Sequence, residues 1–258
     1  MPRGGDWGER VAAAARARGL DPRIVPLIAT EPPLDPGPLD RALDRLTAGV
    51  TDGSPGAAPA GAGPRSGGYA WLVVTSATTV TVLAGQVPSL PSGLRVAAVG
   101  EPTARAARAA GWSVDLVPDD ASAAGLVAAL PDTAATVLFP RSEIAPATLV
   151  DGLRARGIDV EDPVAYRTVG TGDGPVLPDV VPDAVLVTSG SVARQVARRM
   201  APLDPGTVVA CIGPGTAADA RAVGLPVHVI GSARSAEALL DAVVVALDPS
   251  TPEQEGLP

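Results

Sequence analysis

Along the chain, short Val-rich runs alternate with longer stretches whose apolar positions recur at helical spacing. The runs at 23–27, 71–75, 95–99, 113–117, 136–139, 160–165, 184–188, 207–212 and 227–230 read as strands. The stretches at 6–18, 38–48, 77–85, 102–110, 122–130, 145–156, 191–200, 215–223 and 234–247 read as helices. Strands of four to six apolar residues between amphipathic helices are those of parallel sheets covered on both faces, so the pattern predicts the α/β class. Gly19, Gly111, Gly157 and Gly224 each stand between a helix and the next strand, where a left-handed cap is expected.

The pattern repeats. PRGGDWGERVAAAARARGLDPRIVPLIAT (2–30) pairs with PRSEIAPATLVDGLRARGIDVEDPVAYRT (140–168), aligning Arg3 with Arg141, Gly19 with Gly157 and Thr30 with Thr168 without a gap. WLVVTSATTV (71–80) pairs with AVLVTSGSVA (184–193), and VGEPTARAARAAGWSVDLV (99–117) with IGPGTAADARAVGLPVHVI (212–230), both in one register that aligns Thr75 with Thr188 and Gly100 with Gly213. The chain therefore reads A, B, A′, B′. The segment between the first A and B is the longer one, and its surplus, rich in Gly, Pro and Ala, predicts a disordered loop at 51–68.

Composition narrows the chemistry. All 20 basic residues are Arg, so Schiff-base lysines and Walker-A phosphate binding are excluded. One Cys and one His exclude intrachain disulfides and metal motifs built on several Cys or two His. A net charge of −8 argues against nucleic acid as partner. No run of about 18 apolar residues predicts a membrane span. The amino-terminal stretch 1–23 carries Asp6, Glu9 and five Arg, which is unlike a secretory signal and points to the cytoplasm.

Candidate chemistry gathers where strands run into helices. Thr75-Ser76, Thr103, Thr188-Ser189-Gly190-Ser191 and Gly213-Pro214-Gly215-Thr216 place hydroxyls at such points. In a parallel sheet these are the carboxyl ends of the strands, where first-turn N–H groups favour anions. Each hydroxyl also reads as an ordinary cap worth about 1 kcal/mol; four such turns in repeat-related places favour a ligand. Arg3 and Arg141 occupy equivalent positions from which a guanidinium can take a carboxylate in two hydrogen bonds. Tyr166, one of two Tyr, ends a strand and can donate a phenolic hydrogen bond. His228 and Cys211 lie within apolar runs and read as core residues.

The order and spacing of PLIATEP, WLVVTSATTV, VAAVGEPTA, VLFPRSE, VEDPVAYRT, AVLVTSGSV and CIGPGTA resemble the uroporphyrinogen-III synthase family over nearly the whole chain, from about 3 to 245. The resemblance implies two flavodoxin-like parallel-sheet domains joined by a two-stranded connector. Domain one would be 1–30 plus 171–258 and domain two 32–168, with crossings through PLIATEP and VAYRT. It implies a cofactor-free and metal-free lyase, a monomer of tetrapyrrole biosynthesis. Its substrate is hydroxymethylbilane, with eight carboxylates, received by transient contact with hydroxymethylbilane synthase. It maps substrate contacts onto Thr75, Ser76, Thr103, Ser189, Ser191 and Thr216, and an acid onto Tyr166. A non-catalytic two-lobed anion-binding protein, or a regulatory descendant of the same fold, is the competing expectation.

The repeat carries one more expectation. Arg141 is preceded by the apolar run ATVLFP, whereas Arg3 is preceded only by Met1 and Pro2. A strand of about five apolar residues is therefore predicted upstream, with a start earlier than Met1. In a sheet of order 2-1-3-4-5 it lies between two others. Residues 1–258 should then show four strands in domain one, with a slot beside 23–27, against five in domain two.

Overall fold

Four serines set helix starts. Ser76, Ser122, Ser189 and Ser235 each accept a hydrogen bond from the backbone N–H three residues on: Thr79, Gly125, Val192 and Ala238, at 3.0, 3.0, 3.3 and 3.1 Å. Each thereby satisfies one of the donors that a helix start leaves open. At the other ends Gly19, Gly111, Gly157 and Gly224 have φ of +80, +84, +76 and +79°, the left-handed conformation the pattern predicts for them.

The computed structural model describes residues 1–48, 68–177 and 179–248; the loop expected at 51–68 lies almost wholly outside the described residues. In chain order the elements are α1 (Gly5–Arg16), β1 (Ile28–Glu31), α2 (Gly37–Ala48), β2 (Trp71–Val74), α3 (Ala77–Ala84), β3 (Arg95–Ala98) and α4 (Glu101–Ala109). Then follow α5 (Ala123–Ala129), β4 (Val137–Leu138), β5 (Arg141–Ser142), α6 (Thr148–Ala155), β6 (Val160–Glu161) and β7 (Val164–Gly170). The last are β8 (Ala184–Val187), α7 (Gly190–Arg199), β9 (Val208–Cys211), α8 (Pro214–Ala222), β10 (Val229–Ile230) and α9 (Ala236–Leu247). The chain divides into two compact units: Met1–Ala29 with the residues from Thr168 onward, and Thr30–Arg167.

The Thr30–Arg167 unit holds a parallel sheet of order β3-β2-β4-β6, extended beyond β3 by a single bridge, Ala97 to Leu116. Its strands alternate. Leu72, Val74, Val96, Ala98 and Leu138 pack on α2, α3 and α4. Trp71, Val73, Ala97, Val137 and Phe139 pack on α5 and α6. The other unit holds β10-β9-β8, also parallel. There Val185, Val187, Val209 and Cys211 meet α7 and α8, while Leu186 and Ala210 meet α1 and α9.

Three expectations are corrected. The run 160–165 breaks into β6 and β7 around Asp162-Pro163, because Pro163 has no N–H for a ladder. The connecting strands β1 and β7 are joined by β5, giving a three-stranded sheet β1-β7-β5 where two strands were expected. Residues 23–27 form no strand. The ladder β10-β9-β8 thus has three members instead of the four expected, and the backbone of residues 23–27 bonds Met1, Pro2 and Thr171 instead of β8.

Candidate functional site

In the Thr30–Arg167 unit the carboxyl ends of β2 and β3 run into α3 and α4. Ser76, the α3 cap, is shared: its Oγ lies 2.9 Å from Thr79 Oγ1 and 3.1 Å from Tyr166 Oη. Tyr166 is buried, with 7% of its surface exposed. It reaches Ser76 because β7 pairs with β5, which places Tyr166 opposite Ser142. The Glu143 N–H donates to the Tyr166 carbonyl at 3.0 Å and closes this corner. Thr75 is half-buried beside it. The structure thus brings Thr75, Ser76 and Tyr166 to one corner. Thr103 sits buried in the first turn of α4, behind a helix start with no side-chain cap.

Arg141 is drawn elsewhere. Its Nε donates to Asp162 Oδ2 at 2.9 Å, and Nη1 donates to the carbonyls of Ser142 and Glu143 at 3.2 and 3.4 Å. Arg154 shares Asp162 at 3.1 Å. The Arg141 guanidinium therefore holds the 141–143 turn against Tyr166, with its charge already partnered.

In the other unit Ser189 caps α7 at the end of β8, and Ser191 accepts from Arg194 Nη2 at 3.2 Å. Gly190 packs closely on α8: a Cβ there would lie 2.4 Å from Asp219 Oδ2, and the Asp219 side chain would have to shift. Thr216 stands in the first turn of α8, whose cap residue Gly213 has φ −176° and ψ 173°. Gly100, its repeat counterpart before α4, has φ −177° and ψ 170°. Neither helix start has a side-chain cap, and each carries a Pro in its first turn. Arg3 places its guanidinium 5.5 Å from the Trp7 ring centroid.

Thr188 Oγ1 and Ser142 Oγ are buried without a hydrogen-bond partner. Thr188 was among the strand-end hydroxyls expected from sequence; Ser142 was not, although it lies in the FPRSE element. Cys211 is buried in β9, and burial pushes its thiol pKa up. His228, expected in the core, is exposed; its Nδ1 accepts the Val209 N–H at 2.9 Å, as Asp115 Oδ2 accepts the Val96 N–H at 2.8 Å. Among the described residues no group of three or more His, Cys, Asp and Glu gathers as metal ligands would, and no helix is long and apolar enough to cross a membrane.

These features define a class: a two-unit α/β protein of parallel sheets, each ending in a hydroxyl-bearing rim of helix starts. The family model for uroporphyrinogen-III synthase HemD matches residues 9–241, and the chain belongs to that family. Among solved structures the chain is similar to a mutant uroporphyrinogen III synthase from Thermus thermophilus, at 19% identity over 95% of this chain and 96% of that one, with a TM-score of 0.56. It is similar to the uroporphyrinogen-III synthetase of Helicobacter pylori, again at 19% identity, over 86% of this chain and 94% of that one, TM-score 0.56. No curated protein sequence matches it.

Proposed function

We propose that the chain is a uroporphyrinogen-III synthase, converting linear hydroxymethylbilane to uroporphyrinogen III. The observation that carries this is the family match over residues 9–241. In the reaction the C–O bond of the hydroxymethyl on ring A, at the opposite end of the bilane from ring D, breaks and the oxygen leaves as water, giving a cationic azafulvene. That carbon is attacked by the substituted carbon of ring D, which forms a spiro intermediate. The intermediate opens and recloses with ring D reversed. Because the bilane closes unaided without reversal, the protein's task is to hold one conformation of a reactive chain, catalysis by positioning.

Tyr166 is the group we assign as proton donor to the leaving oxygen. Its hydroxyl can donate a proton, and Ser76 Oγ at 3.1 Å fixes its direction. The substrate carboxylates cannot be drawn in by the overall field of a protein with net charge −8. We assign their binding to local groups: the uncapped starts of α4 and α8 with Thr103 and Thr216, and the rims carrying Thr75, Ser76, Ser189 and Ser191. Arg3 is assigned as a direct carboxylate contact. Arg141, already paired with Asp162, is assigned to positioning the Tyr166 corner. We further propose a cytoplasmic monomer of two domains that acts without cofactor or metal.

The test is to mix the protein with freshly made hydroxymethylbilane, with a chelator and no added cofactor, and separate the product isomers. The type III isomer is expected. Type I alone, at the spontaneous rate, overturns the reading.

A further inference from the structure

Asp162 stands between β6 and β7 and takes two guanidinium groups, Arg141 on Oδ2 at 2.9 Å and Arg154 on Oδ1 at 3.1 Å. The Asp162 and Arg141 side chains are 23 and 24% exposed, against 53% for Arg154, so Arg141 is the inner partner. Arg141 is fixed from both ends, because its backbone N–H donates to the Pro163 carbonyl at 3.0 Å. With Nε held by Asp162, its Nη1 spans the carbonyls of Ser142 and Glu143. That stretch of backbone needs a brace. Val164 stands opposite Arg141 and Tyr166 opposite Ser142, so Ala165 is an extra residue in β7 and the ladder shifts register there. The Glu143 N–H, donating to the Tyr166 carbonyl at 3.0 Å, completes the path. Asp162 is thus joined to Tyr166 by an ion pair, a guanidinium fork and one backbone hydrogen bond.

The A repeat gives an independent reason to couple the two residues. Arg141 is matched by Arg3 and Arg154 by Arg16, so both cations stand in both copies. Asp162 is matched by Ile24 and Tyr166 by Ile28. The carboxylate and the phenol therefore occur together in one copy and are both isoleucine in the other. Where the carboxylate is missing, the matching arginine lies over a ring instead, Arg3 on Trp7. A carboxylate that served only to neutralise these arginines would be expected in both copies. It is found in the copy that carries the phenol.

We propose that Asp162 is a positioning residue for Tyr166. Its carboxylate keeps the Arg141 guanidinium on the 141–143 backbone and away from substrate carboxylates. The turn fixed in this way holds Tyr166 with its hydroxyl beside Ser76. The consequence for turnover rests on the synthase reading above; the consequence for Tyr166 itself does not.

The experiment compares the full chain with Asp162→Asn, Tyr166→Phe and the double variant. Asparagine keeps the shape of the side chain and removes the charge that holds Arg141. The first readout is the NMR signal of tyrosine isotope-labelled at Cζ. The chain has two Tyr, so Tyr166→Phe identifies which signal is which. Asp162→Asn is expected to shift the Tyr166 signal and leave that of Tyr69 in place, and to speed amide exchange at Glu143 about tenfold. The second readout is formation of the type III isomer. Asp162→Asn is expected to lower kcat by roughly tenfold with KM unchanged, within what a misplacement of about 1 Å can cost. In the Tyr166→Phe chain it is expected to lower kcat no further, because the two residues act through one group. An unmoved Tyr166 signal overturns the proposal. So does an equal fall in kcat with and without the phenol, or a raised KM with kcat unchanged. If the full chain forms no type III isomer, the synthase reading fails, and the Tyr166 signal with Glu143 exchange still decides the proposal. Should Asp162→Asn fail to fold, Arg141→Lys breaks the same path one step later, since an ammonium cannot reproduce the planar fork. It must then shift the Tyr166 signal, and its failure to do so overturns the proposal as well.

Discussion

In the Thr30–Arg167 unit β4 fills the lane between β2 and β6, and its Val137 and Leu138 lose all contact with water. In the other unit the matching lane between β8 and residues 21–27 is open space. The two units otherwise agree closely at several places. Ser76 and Ser189 make the same cap, Gly100 and Gly213 start α4 and α8 with the same extended backbone, and Asp115 and His228 accept equivalent N–H groups. What the repeat preserves is the satisfaction of backbone donors, while the side chain that does it varies between carboxylate and imidazole.

The comparison is broken hardest at Leu138. Leu138→Ala removes a fully buried side chain from the central lane and should destabilise the protein by about 2–5 kcal/mol in denaturant unfolding. A loss well below about 1 kcal/mol would mean that the lane tolerates vacancy, and the contrast between the units would lose its energetic meaning.

Tyr166→Phe tests the asymmetry in chemistry, since the other unit has no phenol at its rim. Ser76 keeps Thr79 as partner, so melting should barely change. Turnover should fall by roughly tenfold to a hundredfold, short of the full contribution of an acid catalyst. An unchanged rate reduces Tyr166 to a structural residue.

His228→Ala leaves the buried Val209 N–H without its acceptor and should cost about 1 kcal/mol. His228→Asp, which copies the other unit, should restore it. A restored stability shows that the two positions are interchangeable acceptors; failure of the carboxylate to replace the imidazole separates them.

The two serine caps divide binding from stability. Ser76→Ala and Ser189→Ala should each cost about 1 kcal/mol of stability. Each should also raise the apparent KM if its rim touches substrate. Stability loss with unchanged kinetics at either position assigns that serine to capping only.

The class, the four glycine caps and the serine caps were legible because they are local: each depends on a period or on residues three or four apart. β5 was not, because a two-residue strand has no periodicity to detect. Nor was the ion pair of Arg141 with Asp162, made 21 residues away across the strand pair. That pair changes the reading of Arg141 from ligand contact to positioning, which no inspection of the PRSE segment could give. The orphaned hydroxyls of Thr188 and Ser142 likewise depend on burial that only packing creates.

The smallest effect lies at the mouth of the lane. Burial pushes the pKa of the Met1 ammonium down to about 6, from an ordinary value near 8. Between those values the unfolded chain holds a proton that the folded chain has released. Unfolding therefore takes up a proton, and stability rises as pH is raised from about 6 to 8. Below about 6 both states are protonated and the destabilisation is complete; above about 8 both are neutral and it is gone. Asp21, Arg23 and Asp183 line the same cavity. Acetylating the amine leaves an N–H to bond the Arg23 carbonyl but removes the charge. The difference in melting temperature between free and acetylated chains should therefore be largest at about pH 6 and vanish by about pH 8. A difference that does not change with pH would place the amine in water, and the Met1 end of the lane would then be a frayed terminus, unlike the sealed end that Phe139 makes in the other unit.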